Sequence, residues 1–148
     1  MPIDHFPFSA NGGGVYQPWL SMRIITPPKG LSLTTYGLVD TGADECAIPA
    51  SFAHLLGHDL CKGSPKGIQT GNGETASFSH TTTFEILLPG TGQVVYRADN
   101  TPVDFLPNLF TVLIGVKNFL GKFVLSVDYP SRVFSIKHPA ARSLSQDW

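Results

Sequence analysis

Turn-forming residues break this sequence so often that long helices have no room. Thr26-Pro27-Pro28-Lys29-Gly30, Gly71-Asn72-Gly73, Gly90-Thr91-Gly92 and Tyr129-Pro130-Ser131 each combine residues that fix or reverse the backbone. Between them lie β-type runs over 15–25, 31–40, 81–89, 93–99 and 109–115, the last being the most apolar. Residues 63–80 read as two strands around the Gly71–Gly73 tip, and 124–137 as a hairpin turning at Tyr129-Pro130-Ser131. Fifteen glycines and 12 prolines against 14% charged residues favour the same solution, many short strands. Two short helices are expected. Pro49 can open one over 50–60, with Phe52, Leu55 and Leu56 on one buried face, and the other covers 116–123. The chain therefore reads as all-β.

At 148 residues the chain is read as one domain, with no internal repeat and no low-complexity block to divide it. Residues 1–14, ending in a glycine run, read as a flexible N-terminal arm, 15–138 as the folded domain and 139–148 as an exposed tail. A net charge of −1 provides no field to recruit nucleic acid or a membrane surface. No apolar stretch approaches the ~18 residues of a membrane span. The first residues lack the basic and apolar regions of a signal peptide, so a cytoplasmic location is expected. Cys46 and Cys61 fit reduced thiols better than a disulfide framework.

Several motif matches fail on context. Residues 71–76, GNGETA, fit a dinucleotide-binding glycine pattern, but a Thr-rich strand follows where a phosphate-holding helix is required. Asp40 and Asp44 alternate with small residues as in a calcium loop, yet the positions needing glycine and glutamate hold Glu45 and Ser51. His54, His58 and Cys61 have ligand spacing but no further ligands close by, so they read as the solvent side of a helix. There is no serine-nucleophile elbow, and Cys46 reads as a buried structural thiol.

Asp40 is different. It follows Leu38-Val39 at the apolar end of a strand, and the chain returns to apolar residues at Ala47-Ile48. A carboxylate in apolar surroundings is costly unless it is paired or neutralised. Thr41 can hydrogen-bond locally, and Gly42 lets backbone approach the carboxylate closely.

Asp40-Thr41-Gly42-Ala43-Asp44, preceded by Leu38-Val39, resembles the active-site loop of retroviral-type (retropepsin-like) aspartic proteases. Val112-Leu113-Ile114-Gly115 resembles the strand that crosses under that loop, and 118–136 resembles the family's C-terminal segment. The Gly71-Asn72-Gly73 hairpin sits where such proteases carry a flap. The resemblance covers roughly residues 17 to 137 and is nearer to the cellular and bacterial single-domain relatives, because the helix at 50–60 is longer than in the viral enzymes. It implies a closed β-barrel with a flap hairpin, and no metal or cofactor. It also implies a substrate-backbone contact for Asp44 and extended peptide under Thr70, Gly71 and Asn72. After Gly115 the family often has arginine followed by Asp or Asn, where this chain has the longer Val116-Lys117-Asn118. That arginine braces the active-site loop through an acidic residue, and Lys117 is the candidate to do so here through Asp44.

Peptide hydrolysis by carboxylates needs one as base toward water and one protonated toward the carbonyl. This chain carries a single D-T-G. The second carboxyl is therefore expected from Asp40 of another copy, in a two-fold homodimer acting on a polypeptide. Close like charges share a proton, so activity is expected to favour mildly acidic pH. Thr41 and Gly42 complete the catalytic loop, and Ala43, Ile48 and Ile114 are candidates for apolar pockets. The competing reading is a protease-like domain that binds peptide or dimerises without cutting.

Overall fold

The computed structural model describes residues 3–11, 13–70, 73–88 and 90–140. Among these residues ten strands form, with β1 at Ile3–Pro7, β2 at Trp19–Thr26, β3 at Leu31–Val39, β4 at Ala47–Pro49 and β5 at Ser64–Thr70. They continue with β6 at Gly73–Leu88, β7 at Gln93–Leu106, β8 at Val112–Ile114, β9 at Val124–Asp128 and β10 at Val133–Lys137. Among the described residues one α-helix, α1, spans Phe52–Leu55.

The large sheet runs β2-β3-β8-β4-β7-β6-β5, and β2 also pairs with β6. That extra pairing closes a six-stranded barrel, leaving β5 outside the ring. Closure removes the exposed edges an open sheet would present. The inward residues follow the period of two: along β2, Leu20, Met22 and Ile24 are buried while Ser21, Arg23 and Ile25 are less so. They meet Phe84, Ile86, Val103, Phe105 and Ile114, all at 1% exposure or less. Burying each such side chain stabilises by about 1.5–3 kcal/mol.

Outside the barrel, Glu85 on β6 is buried between two arginines. Arg23 of β2 donates to its Oε1 at 2.8 Å, and Arg97 of β7 to its Oε2 at 3.0 Å. Arg97 also reaches Asp99 at 2.8 Å. This chain of charges crosses the seam where the barrel closes.

β1, β10 and β9 form a second, three-stranded sheet. Here the structure departs from the expected free arm over 1–14. Ile3 and Phe8 are buried at 1% and 6%, and Phe6 meets Phe134 edge-on at 5.7 Å. The arm's apolar residues find a surface on the last hairpin, which its glycine-rich end does not betray. The expected tail 139–148 lies outside the described residues from 141 onward.

Helix expectations are also corrected. Pro49 belongs to β4, paired with Leu106, and α1 is a single turn ended by Gly57 at φ +73°. Its buried residue is Ala53, followed by Leu56, whereas Leu55 is 55% exposed. The second expected helix reduces to a 3₁₀ turn at Leu120–Lys122. Among the described residues no helix is long and apolar enough to cross a membrane.

Candidate active site

Strands β3 and β8 run parallel, with Gly37, Leu38 and Val39 opposite Val112, Leu113 and Ile114. Asp40 is the next residue. Its N–H donates to the Ile114 carbonyl at 3.1 Å, which carries the pairing one step past the end of β3. The chain then turns sharply. Gly42 N–H donates to Asp40 Oδ1 at 2.9 Å, and Ala43 N–H to the Asp40 carbonyl at 3.2 Å. A Cβ on Gly42 would lie 3.2 Å from that same Oδ1. Glycine thus allows the approach that fixes the carboxylate.

The turn is held from below by the segment after β8. Val116 N–H donates to the Ala43 carbonyl at 3.0 Å, and Lys117 N–H to the Asp44 carbonyl at 2.7 Å. Gly115 N–H reaches Cys46 Sγ at 3.3 Å. A Cβ on Gly115 would lie 2.4 Å from the Glu45 backbone, so only glycine lets the two segments cross at this distance. Gly37 permits the neighbouring contact, since a Cβ there would meet Ile114 Cδ1 at 2.7 Å and Met22 Sδ at 2.8 Å.

Asp40 and Ala43 are half-buried, while Thr41, Gly42 and Asp44 are exposed. The loop therefore offers its carboxylate and its turn backbone on the surface of one chain. Ile48 and Ile114, expected in apolar pockets, are 2% and 0% exposed and lie in the barrel core. Alternation turns them inward, so they support the loop from beneath. Thr70 ends β5 opposite Gly73. Gly71 and Asn72 lie outside the described residues.

The Lys117 side chain lies 3.7 Å from Glu45 Oε1, and only its backbone engages Asp44. Asn118, not a cation, braces the loop with its side chain. Its Oδ1 accepts from Cys46 N–H at 2.5 Å, and its Nδ2 donates to the Pro102 carbonyl on β7 at 2.9 Å. No charge marked Asn118 in the sequence; the available signal was a residue with both donor and acceptor beside the glycine crossing.

Cys46 is a buried structural thiol, 3% exposed, with burial pushing it up to about 11. Its thiolate is thus scarce at neutral pH. His54 and Cys61 are exposed. His58 stacks on His80 at 4.7 Å, and burial holds it below the ordinary imidazole value. Among the described residues no group of three or more His, Cys, Asp or Glu is placed to hold a metal. An open concavity beside α1, lined by His54, His58 and Leu60 among others, shares no residue with the Asp40–Asp44 turn.

Residues 30–117 match the protein family described as Aspartyl protease. The fold is similar to a retropepsin-like aspartic protease from Rickettsia conorii, at 20% identity and a TM-score of 0.60, covering 86% of this chain and 94% of that one. No curated protein matches the sequence.

Proposed function

The chain belongs to the aspartyl protease family, and from that premise we propose an endopeptidase whose active centre is the Asp40 pair of a homodimer. The observation that carries this reading is the D-T-G turn, half-buried at Asp40 and exposed at Thr41 and Gly42, held by its crossing with β8 and supplying one carboxylate per chain. A two-fold axis beside the turn supplies the other.

In this mechanism the two Asp40 carboxyls share one proton. The ionised one takes a proton from water as the oxygen attacks the scissile carbonyl carbon. The protonated one gives its proton to the carbonyl oxygen. Collapse of the tetrahedral intermediate breaks the C–N bond: the dyad protonates the leaving amine and takes a proton back from a gem-diol hydroxyl as the new carboxyl forms, which restores the shared proton. Thr41 orients the turn across the axis. Asp44 and the Ala43 backbone meet the extended substrate from below, and the family resemblance assigns its other side to Thr70 together with Gly71 and Asn72, which lie outside the described residues.

Asp40→Asn tests the assignment, because an amide Oδ1 still accepts from Gly42 and leaves the turn intact. Cleavage of an unstructured polypeptide at about pH 5 should drop by at least ~10²–10⁴-fold. Stability should stay within about 0.5 kcal/mol. Sizing of the wild type should give a dimer. Undiminished cleavage by the purified variant overturns the proposal. A dimer that binds the polypeptide without cutting it indicates a binding module instead.

A further inference from the structure

Besides the 3.7 Å ion pair of Lys117 with Glu45, hydrogen bonds tie the Asp40–Cys46 loop to residues 114–118, and one of them uses a side chain of that supporting segment. Asp40 N–H, Val116 N–H and Lys117 N–H make main-chain bonds at 3.1, 3.0 and 2.7 Å, and Gly115 N–H meets the Cys46 sulfur. The remaining one is Cys46 N–H to Asn118 Oδ1. The Asn118 side chain bonds to the loop and also to β7, through Nδ2 to the Pro102 carbonyl. Cys46 O in turn accepts from Asp104 N–H at 3.2 Å. Where the loop leaves for β4, it is thus fixed to β7 twice, once directly and once through Asn118.

We infer that Asn118 is the positioning residue of the active centre, setting where the exit of the loop, and so Asp40, sits relative to the barrel. This rests on the protease reading above. The chemical choice matters for an enzyme of mildly acidic pH. A neutral amide presents one acceptor and one donor at every pH from acid to neutral, so the brace keeps both bonds while carboxylates around it titrate. A carboxylate in its place would face the Pro102 carbonyl acceptor to acceptor. Once protonated, its O–H could donate to Pro102 while its C=O still accepted from Cys46.

That difference provides the test. Asn118→Leu removes both bonds at similar volume and should lower kcat about 100-fold, with KM held within about twofold, because misplacement by about 1 Å costs a factor of that order. Asn118→Asp should be impaired near neutral pH. Its kcat relative to wild type should rise as pH falls from about 7 to about 4, as protonation restores the donor. Amide exchange at Cys46 should speed up in folded Asn118→Leu. A folded Asn118→Leu protein with wild-type kcat, a flat ratio for Asn118→Asp, or unchanged exchange at Cys46 each overturns the inference. If the wild type cleaves nothing, the protease reading fails, and the Cys46 exchange still decides whether Asn118 is the brace.

Discussion

Replacing Gly115 with alanine puts a methyl group where the structure has backbone. The new Cβ would lie 2.4 Å from both the carbon and the oxygen of the Glu45 carbonyl and 2.8 Å from the Ala43 carbonyl oxygen. Ordinary contact begins near 3.4 Å, so the two segments must part by about 1 Å. Neither neighbour is a flexible side-chain tip. Gly115 itself has no left-handed φ, so the cost is steric contact and not backbone strain. Overpacking costs about 1–3 kcal/mol. Parting also breaks Val116 N–H to Ala43 and Gly115 N–H to Cys46, at about 1 kcal/mol each. The expected loss is about 3–5 kcal/mol, or a fall in Tm of about 6–20 °C for a domain of this size. Urea and thermal unfolding followed by circular dichroism measure it. Gly37→Ala is the matched control, because its Cβ meets the movable ends of Ile114 and Met22 and should cost less. A Gly115→Ala protein within about 1 kcal/mol of wild type, or less affected than Gly37→Ala, would refute the crossing argument.

Acid should weaken the fold through His58. Burial holds its folded form below the ordinary value of 6.5, with the neighbouring His80 and Lys29 pushing the same way. The unfolded chain then takes up the proton first as pH falls, so stability declines on acidification from just above pH 6.5 downward. Thermal unfolding between about pH 8 and 5 should show a shallower decline in His58→Gln; an identical slope refutes the assignment. Cys46 and Cys61 should separate by reactivity: an alkylating reagent near pH 8 should label exposed Cys61 quickly and Cys46 only in denaturant. Rapid labelling of both in the native protein counts against the buried node. Glu85→Gln weakens a buried carboxylate that serves two arginines and should cost about 1–3 kcal/mol in urea unfolding, whereas the exposed Asp99→Asn should stay within about 0.5 kcal/mol.

The strands were legible because punctuation and alternation are local. Pro27-Pro28-Gly30 closes one hairpin and Pro130-Ser131 another, and the pattern along β2 announces its inward face. The D-T-G turn was legible because a carboxylate beside Leu38-Val39 has few cheap explanations. What escaped depends on partners far away in sequence. Leu55 and Leu56 are equally apolar, and only the position of β3 and β4 against α1 decides that Leu56 is buried and Leu55 is not. Asn118 carries no charge, and its two partners lie 72 and 16 residues away. Ile48 and Ile114 were recognised as apolar, but their facing inward follows from the barrel's register with β7 and β3.

The pairing of β1 with β10 has a consequence for how the protein is made. His5 N–H finds its acceptor, the Ser135 hydroxyl, 130 residues downstream. Ile3 and Phe8 are synthesised before strands β2 to β8, yet their packing partners Phe134 and Ile136 come after all of them. The barrel strands β2 to β8 can assemble while the nascent chain is still tethered. The small sheet cannot, because its first strand must wait for its last. During that interval an unpaired β-strand with two apolar side chains is open to other contacts. Chaperone binding during synthesis should therefore concentrate on Ile3–Phe8 and end once Phe134 and Ile136 have emerged to pair with them.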